Sequence, residues 1–245
     1  MRTFALLLAL LLPPASAAAE AACETVGHEG LRHTVCEVRA GEGDLRLWLR
    51  DDRGEVFGGF DRLERHLAAE GRRLVFAMHG GMFHPDRRPV GLYVESGESE
   101  TRLVTSPGPG NFGMLPNGVF CIGEDRFAVV ESRRFGESPP ECRHATQSGP
   151  LLVMDGALHP RFLEDSTSRY IRNGVGVSPD GDRAWFAISD QPVTFHEFGR
   201  LFRDVLGTPD ALYFDGNVSR LHAPALGRSD LGRTMGPIVG LTVAQ

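Results

Sequence analysis

Apolar residues along this chain come mostly in short runs broken by turn-forming residues, and only twice at helical spacing. Runs of β character occupy 45–49, 74–78, 90–94, 119–122, 127–130, 151–154, 171–177, 184–188, 211–214 and 237–243. Ser96-Gly97, Gly123-Glu124-Asp125, Asp155-Gly156 and Pro179-Asp180-Gly181 separate many of them, as expected of tight connections between strands. Phe60, Leu63 and Leu67 share one face of a first predicted helix, which stops near Gly71. A second is better signalled. Thr194 and Glu197 form a capping box, and Val193 and Phe198 are placed as a hydrophobic staple. Its apolar face is Phe195, Phe198, Leu201, Phe202 and Val205, and Gly207 followed by Pro209 ends it. Many strands with few helices predict an α+β fold: a single domain built on a mostly antiparallel β-sheet with a few flanking helices.

The first 19 residues break this pattern. A basic start at Arg2, an apolar stretch from Phe4 to Leu12, Pro13-Pro14 and the run Ala15-Ser16-Ala17-Ala18-Ala19 match a cleavable secretory signal. The apolar stretch is too short to span a bilayer comfortably, and no other window is long and apolar enough for a membrane helix. The expectation is a signal peptide over 1–19 and one domain over 20–245, periplasmic or secreted, with no transmembrane segment after cleavage. A buried N-terminal helix is the rival reading.

Export changes how the cysteines read. An even number, Cys23, Cys36, Cys121 and Cys142, in an exported chain favours disulfides. Cys23 with Cys36 and Cys121 with Cys142 closes the shortest loops, and two other pairings are open. A zinc site made of all four would need Cys-x-x-Cys-type spacing, which is absent. His79, His84 and Asp86 are close in sequence but lack the helical spacing of zinc signatures, so neither metal nor cofactor is expected. The chain has no lysine, which excludes a Walker-type phosphate loop, a Schiff base and a lysine general base. A formal charge of −6 without a basic run argues against nucleic acid as a partner.

Chemistry gathers where apolar runs meet polar residues and glycine. Leu212-Tyr213-Phe214 ends abruptly in Asp215-Gly216-Asn217-Val218-Ser219-Arg220. The run 74–78 leads into His79-Gly80-Gly81-Met82-Phe83, where paired glycines let backbone approach a ligand. Ile171-Arg172-Asn173-Gly174-Val175 embeds Arg and Asn in an apolar run. Function tends to sit on loops held by rigid elements, and three polar strand ends suggest one pocket.

In this order, together with Gly91-Leu92-Tyr93-Val94 and Ser148-Gly149-Pro150-Leu151-Leu152, these segments resemble the phosphodiester glycosidase family. Its members include the enzyme that uncovers mannose 6-phosphate by removing N-acetylglucosamine from the phosphate; bacterial members are often described as exopolysaccharide-related. The matching motifs are Asn/His-Gly-Gly-x-Phe, Ser-Gly-Pro-Leu-Leu, Arg-x-(Ala/Gly)-(Ile/Val)-Gly and (Leu/Phe)-Asp-Gly-x-x-Ser. The resemblance runs from about Leu45 to the C-terminus. It departs at His79, where many members have Asn, and at Asn217-Val218, where many have further glycines.

The resemblance implies an exported hydrolase that cleaves the C1–O bond of a sugar-1-phosphate diester in envelope or extracellular glycans. Its partner would be a phosphorylated or phosphodiester-linked carbohydrate. Such cleavage passes through a cation-like transition state, and its phosphate leaving group needs little acid help. It calls for a carboxylate to activate water or attack C1, and for a planar guanidinium on the phosphoryl oxygens. Asp215 is the expected carboxylate, with a plain turn cap as its rival role. Arg172 is the expected phosphate ligand, since an Arg in an apolar strand must be satisfied; an internal salt bridge to Asp190 or Asp215 is its rival. His79 is expected to act as acid, base or phosphate grip, or else to be structural. Gly80, Gly81, Ser148, Asn173, Gly216, Asn217, Ser219 and Arg220 are candidate substrate contacts, with Asp190 orienting Arg172. Two other functions fit the same residues. One is a non-catalytic envelope protein that binds glycan or exopolysaccharide. The other is a general serine or metallo-hydrolase, although Ser219 lacks the Gly-x-Ser-x-Gly elbow.

Overall fold

The computed structural model describes residues 22–245, so the expected signal peptide lies outside the described residues. Three sheets surround one core, and every strand pairing is antiparallel. The largest has seven strands in the order Ala22–His28, Leu31–Arg39, Arg183–Ser189, Asn173–Val177, Asp210–Asp215, Leu151–Met154 and Ala157–Leu158. A second runs Arg228–Ser229, Leu221–Ala223, Arg72–His79, Ile238–Ala244 and Asp44–Trp48. The third runs Glu98–Thr101, Tyr93–Glu95, His144–Ser148, Gly118–Ile122 and Phe127–Glu131. The α+β expectation therefore holds, with the strands divided among three sheets.

Alternation within the strands explains this layering, because neighbouring residues point to opposite faces. Leu212 and Phe214 meet Phe76, Met78, Phe120 and Phe186 in the central core, while Ala211 and Tyr213 face outward. On that outer face lies the helix Phe195–Arg200, packing Phe198 against Leu152, Val153 and Ala211. The predicted capping box is formed, and Val193 and Phe198 are both fully buried. The predicted apolar face fails at one residue. Leu201–Val205 winds as a π-helix, whose wider turn rotates Val205 out, leaving it 42% exposed. The helix Phe60–Ala69 covers the second sheet with Phe60, Leu63 and Leu67, each buried side chain contributing about 1.5–3 kcal/mol.

Strands built from polar residues had no apolar run to show them. His144–Ser148 reads as polar, yet all five residues are buried, and the Thr146, Gln147 and Ser148 side chains are hydrogen-bonded. Gln147 accepts the Leu92 and Val104 N–H groups and donates to the Val104 carbonyl and Ser132 hydroxyl. This bonding holds 90–92 as a loop, so only Tyr93 and Val94 of the predicted 90–94 run are strand. The shortest-loop cysteine pairing is the one present: Cys23–Cys36 links paired hairpin positions, and Cys121–Cys142 closes the other. Among the described residues no helix is long and apolar enough to cross a membrane.

Two buried histidines give the fold an acid sensitivity. Burial pushes the pKa of His33 and of His144 down from 6.5 to about 4, so both are neutral in the folded state. The unfolded chain takes up these protons first as pH drops. Stability is full above about pH 6.5 and declines toward pH 4, by up to about 3 kcal/mol per histidine. Thermal unfolding followed across this range should show a falling Tm, and a flat Tm would contradict the assignment.

Candidate functional site

Three strand ends from two sheets converge. His79 ends Arg72–His79, Asp215 ends Asp210–Asp215, and Asn173, paired in register with Asp215, starts Asn173–Val177. Asn173 Nδ2 donates to the His79 carbonyl at 2.7 Å, joining the sheets at this edge. The Ser219 hydroxyl lies 2.9 Å from the Ile171 carbonyl, 2.8 Å from the Asp215 carbonyl and 3.1 Å from Asn173 Oδ1, which ties the turn after Asp215 back to the sheet. That contact is a clamp and leaves Ser219 no nucleophile's geometry. Ser148 is likewise internal, donating to the Phe214 carbonyl at 2.9 Å.

Asp215 is held at both oxygens. Oδ1 accepts the N–H groups of Gly216 and Asn217 at 2.6 and 3.0 Å, while Oδ2 lies 3.4 Å from His79 Nε2. The turn-cap role and a carboxylate that still reaches the cleft therefore coexist in one residue. Burial raises the pKa of Asp215, but the His79 imidazole and the two backbone N–H groups outweigh it and leave the pKa below the ordinary value. Asp215 stays ionised near neutral pH. His79 has no exposed side-chain surface, and among the described residues neither ring nitrogen has a well-aligned hydrogen-bond partner, Nε2 facing the Asp215 carboxylate at ion-pair distance. Phe83 meets the His79 ring edge-on, with centroids 5.4 Å apart. Two glycines shape this corner. A Cβ on Gly81, whose φ is +152°, would stand 2.6 Å from the Thr146 hydroxyl, and one on Gly216 would strike the Tyr213 hydroxyl. Gly80 continues the turn, donating its N–H to the Pro237 carbonyl at 2.8 Å.

A cleft of about 670 Å³ opens over this corner, lined by Met82, Phe83, Arg87, Val90, Asp215, Asn217, Val218, Arg233 and Thr234. Of the sequence-predicted residues, Asp215 and Asn217 reach its wall. Arg172 does not. Asn173 faces the second sheet, whereas the adjacent Arg172 packs outward under the helix Phe195–Arg200. Its guanidinium stacks 3.7 Å from the Phe195 ring centroid and donates to the Val193 and Ser168 carbonyls and the Tyr213 hydroxyl. It is 1% exposed, which removes it as a phosphate ligand. Its burial lowers its pKa, and carbonyls and aromatic faces satisfy it in place of a salt bridge. Asp190 does not orient it either: that carboxylate pairs with Arg228 at 2.7 Å and accepts the Thr34 hydroxyl. Arg220 is 8% exposed, donating to the Asp230 carbonyl at 2.8 and 2.9 Å and the Arg233 carbonyl at 3.1 Å. It pins the loop that brings Arg233 and Thr234 to the cleft. Arg87 and Arg233 escaped the sequence reading because each sits in a polar loop like any other.

A second cleft, about 370 Å³, lies at the far end of the same strands beside Val177 and Asp210. It is remote from Asp215.

A profile of the family described as phosphodiester glycosidase matches residues 72–223, which include His79, Asn173 and Asp215. The chain is 33% identical over 178 residues to the uncharacterized protein YigE of Escherichia coli strain K12, covering 73% of this chain and 69% of that one. Its fold is similar to the catalytic domain of zebrafish N-acetylglucosamine-1-phosphodiester alpha-N-acetylglucosaminidase, solved in a form auto-inhibited by its pro-peptide. The TM-score is 0.56 at 13% identity, over 89% of this chain and 81% of that one.

Proposed function

We propose that this chain, which belongs to the phosphodiester glycosidase family and is a glycosidase-type hydrolase, is exported and breaks the C1–O bond of a sugar-1-phosphate diester in envelope or extracellular glycans. The observation that carries the reading is Asp215, an ionised carboxylate on the cleft wall, aimed by backbone N–H groups and backed by a buried imidazole. Asp215 takes a proton from water as the water oxygen bonds to C1. The C1–O bond breaks with its electron pair going to the phosphoryl oxygen, and a phosphate monoester leaves without needing an acid. His79 stabilises the ionised carboxylate from behind. Asp215 is the one carboxylate among the residues lining the cleft, and a single base acting on water implies inversion at C1.

Export is supported by the leader pattern over 1–19, with 20–245 as the mature domain, and by two disulfides, which persist in oxidising compartments. Purified mature protein is expected to turn over members of a panel of sugar-1-phosphodiesters, with NMR detecting the inverted anomer first. Absence of turnover across the panel would return the protein to the glycan-binding reading.

A further inference from the structure

Two cations line the cleft besides the residues already assigned to the step at C1. Arg87 and Arg233 line it with Asp215, so the wall carries two guanidiniums and one carboxylate in a chain whose formal charge is −6. Most other arginines are neutralised: Arg62 by Asp51, Arg134 by Asp155, Arg169 by Glu197 and Arg228 by Asp190. Among the described residues, neither Arg87 nor Arg233 has a carboxylate partner within ion-pair distance.

Each is also placed by its surroundings. Arg87 has φ +71°, a left-handed conformation that glycine or asparagine adopts at lower cost, in a turn where the His84 N–H donates to the Arg88 carbonyl and the Arg87 N–H to the His84 carbonyl. Its guanidinium lies 5.0 Å from the Phe83 ring centroid, the same ring that meets His79 edge-on. One aromatic ring therefore separates Arg87 from the His79–Asp215 pair. Arg233 comes from a different loop, the one whose carbonyls Arg220 holds. The apolar side chains of Met82, Val90 and Val218 lie in the wall beside them, where charge interactions are screened less than in open water.

We propose that Arg87 and Arg233 together form the phosphate seat of this cleft, and that they select sugars carrying a phosphodiester over neutral glycosides. This rests on the reading of Asp215 as the group acting at C1. A diester phosphate bears one negative charge and two free oxygens, and two planar guanidinium forks match it better than one point charge. The pair supplies charge where the leaving phosphate develops it, the role that Arg172 is too enclosed to fill.

The test uses the mature protein with Arg87→Gln, Arg233→Gln and the double variant, with Arg134→Gln as a remote charge control. Affinity for inorganic phosphate is measured by titration calorimetry. The ratio of kcat/KM for a phosphodiester to that for a neutral aryl glycoside of the same sugar is measured in parallel. Each cleft variant is expected to weaken phosphate binding and reduce the ratio by about tenfold or more, with Arg134→Gln matching the parent. A parent that cleaves phosphodiesters while both cleft variants keep its preference overturns the seat and leaves the C1 chemistry standing. A parent that cleaves none of them, yet binds phosphate through both arginines, retains the seat and discards the hydrolytic reading. A parent that binds no phosphate overturns the seat.

Discussion

Asp215→Asn is expected to lower kcat by about a hundredfold or more while KM changes little. The amide has the shape of the carboxylate, and its oxygen can still accept the Gly216 and Asn217 N–H groups that shape the turn. What disappears is the charge facing the cleft and the capacity to take a proton from water, which act mainly in the transition state. A loss confined to kcat is the signature of that kind of interaction. Circular dichroism and thermal unfolding would separate it from misfolding, since His79 Nε2 can remain beside the new amide. Near-normal turnover by Asp215→Asn on every cleaved substrate would remove Asp215 as the reacting carboxylate.

The parts of the site that the sequence made legible share one physical signature. His79, Asn173 and Asp215 each interrupt or end an apolar strand, where a polar group is costly unless something satisfies it. That cost locates such residues without saying which way they point. Arg172 shows the limit. The same reasoning required it to be satisfied, and it is, but by the Phe195 ring and three oxygens on the outer face, because the residue next to Asn173 in a strand must face the other way. Arg87 and Arg233 carried no comparable signature. They lie in polar loops about 146 positions apart, and only closure of the fold sets them over Asp215. The fold followed the same rule. Apolar runs and a capping box exposed most strands and two helices, while His144–Ser148 was hidden because hydrogen bonds rather than apolar side chains justify its burial. The short helix Ser132–Glu137, capped by the Glu131 side chain, offered too few turns for a period to show.

The buried imidazole should govern the pH range of activity more than its geometry. In the parent protein the His79 side chain and the turn N–H groups hold the pKa of Asp215 down against the upward push of burial. In His79→Asn the burial and the N–H bonds remain but the imidazole does not, so the pKa of Asp215 should rise. Activity that needs the ionised carboxylate is lost as pH falls through that pKa. The acid limb of kcat/KM is therefore expected to move upward. Asn is a fair replacement because His79 N–H and C=O already bond Arg220 and Asn173 through the backbone, leaving the strand end anchored whatever the side chain. If His79 only fills space, the variant should lose stability or turnover at every pH by the same factor. An acid limb that does not move in a folded His79→Asn protein would therefore deny His79 its electrostatic role and leave Asp215 to be tuned by its backbone contacts alone.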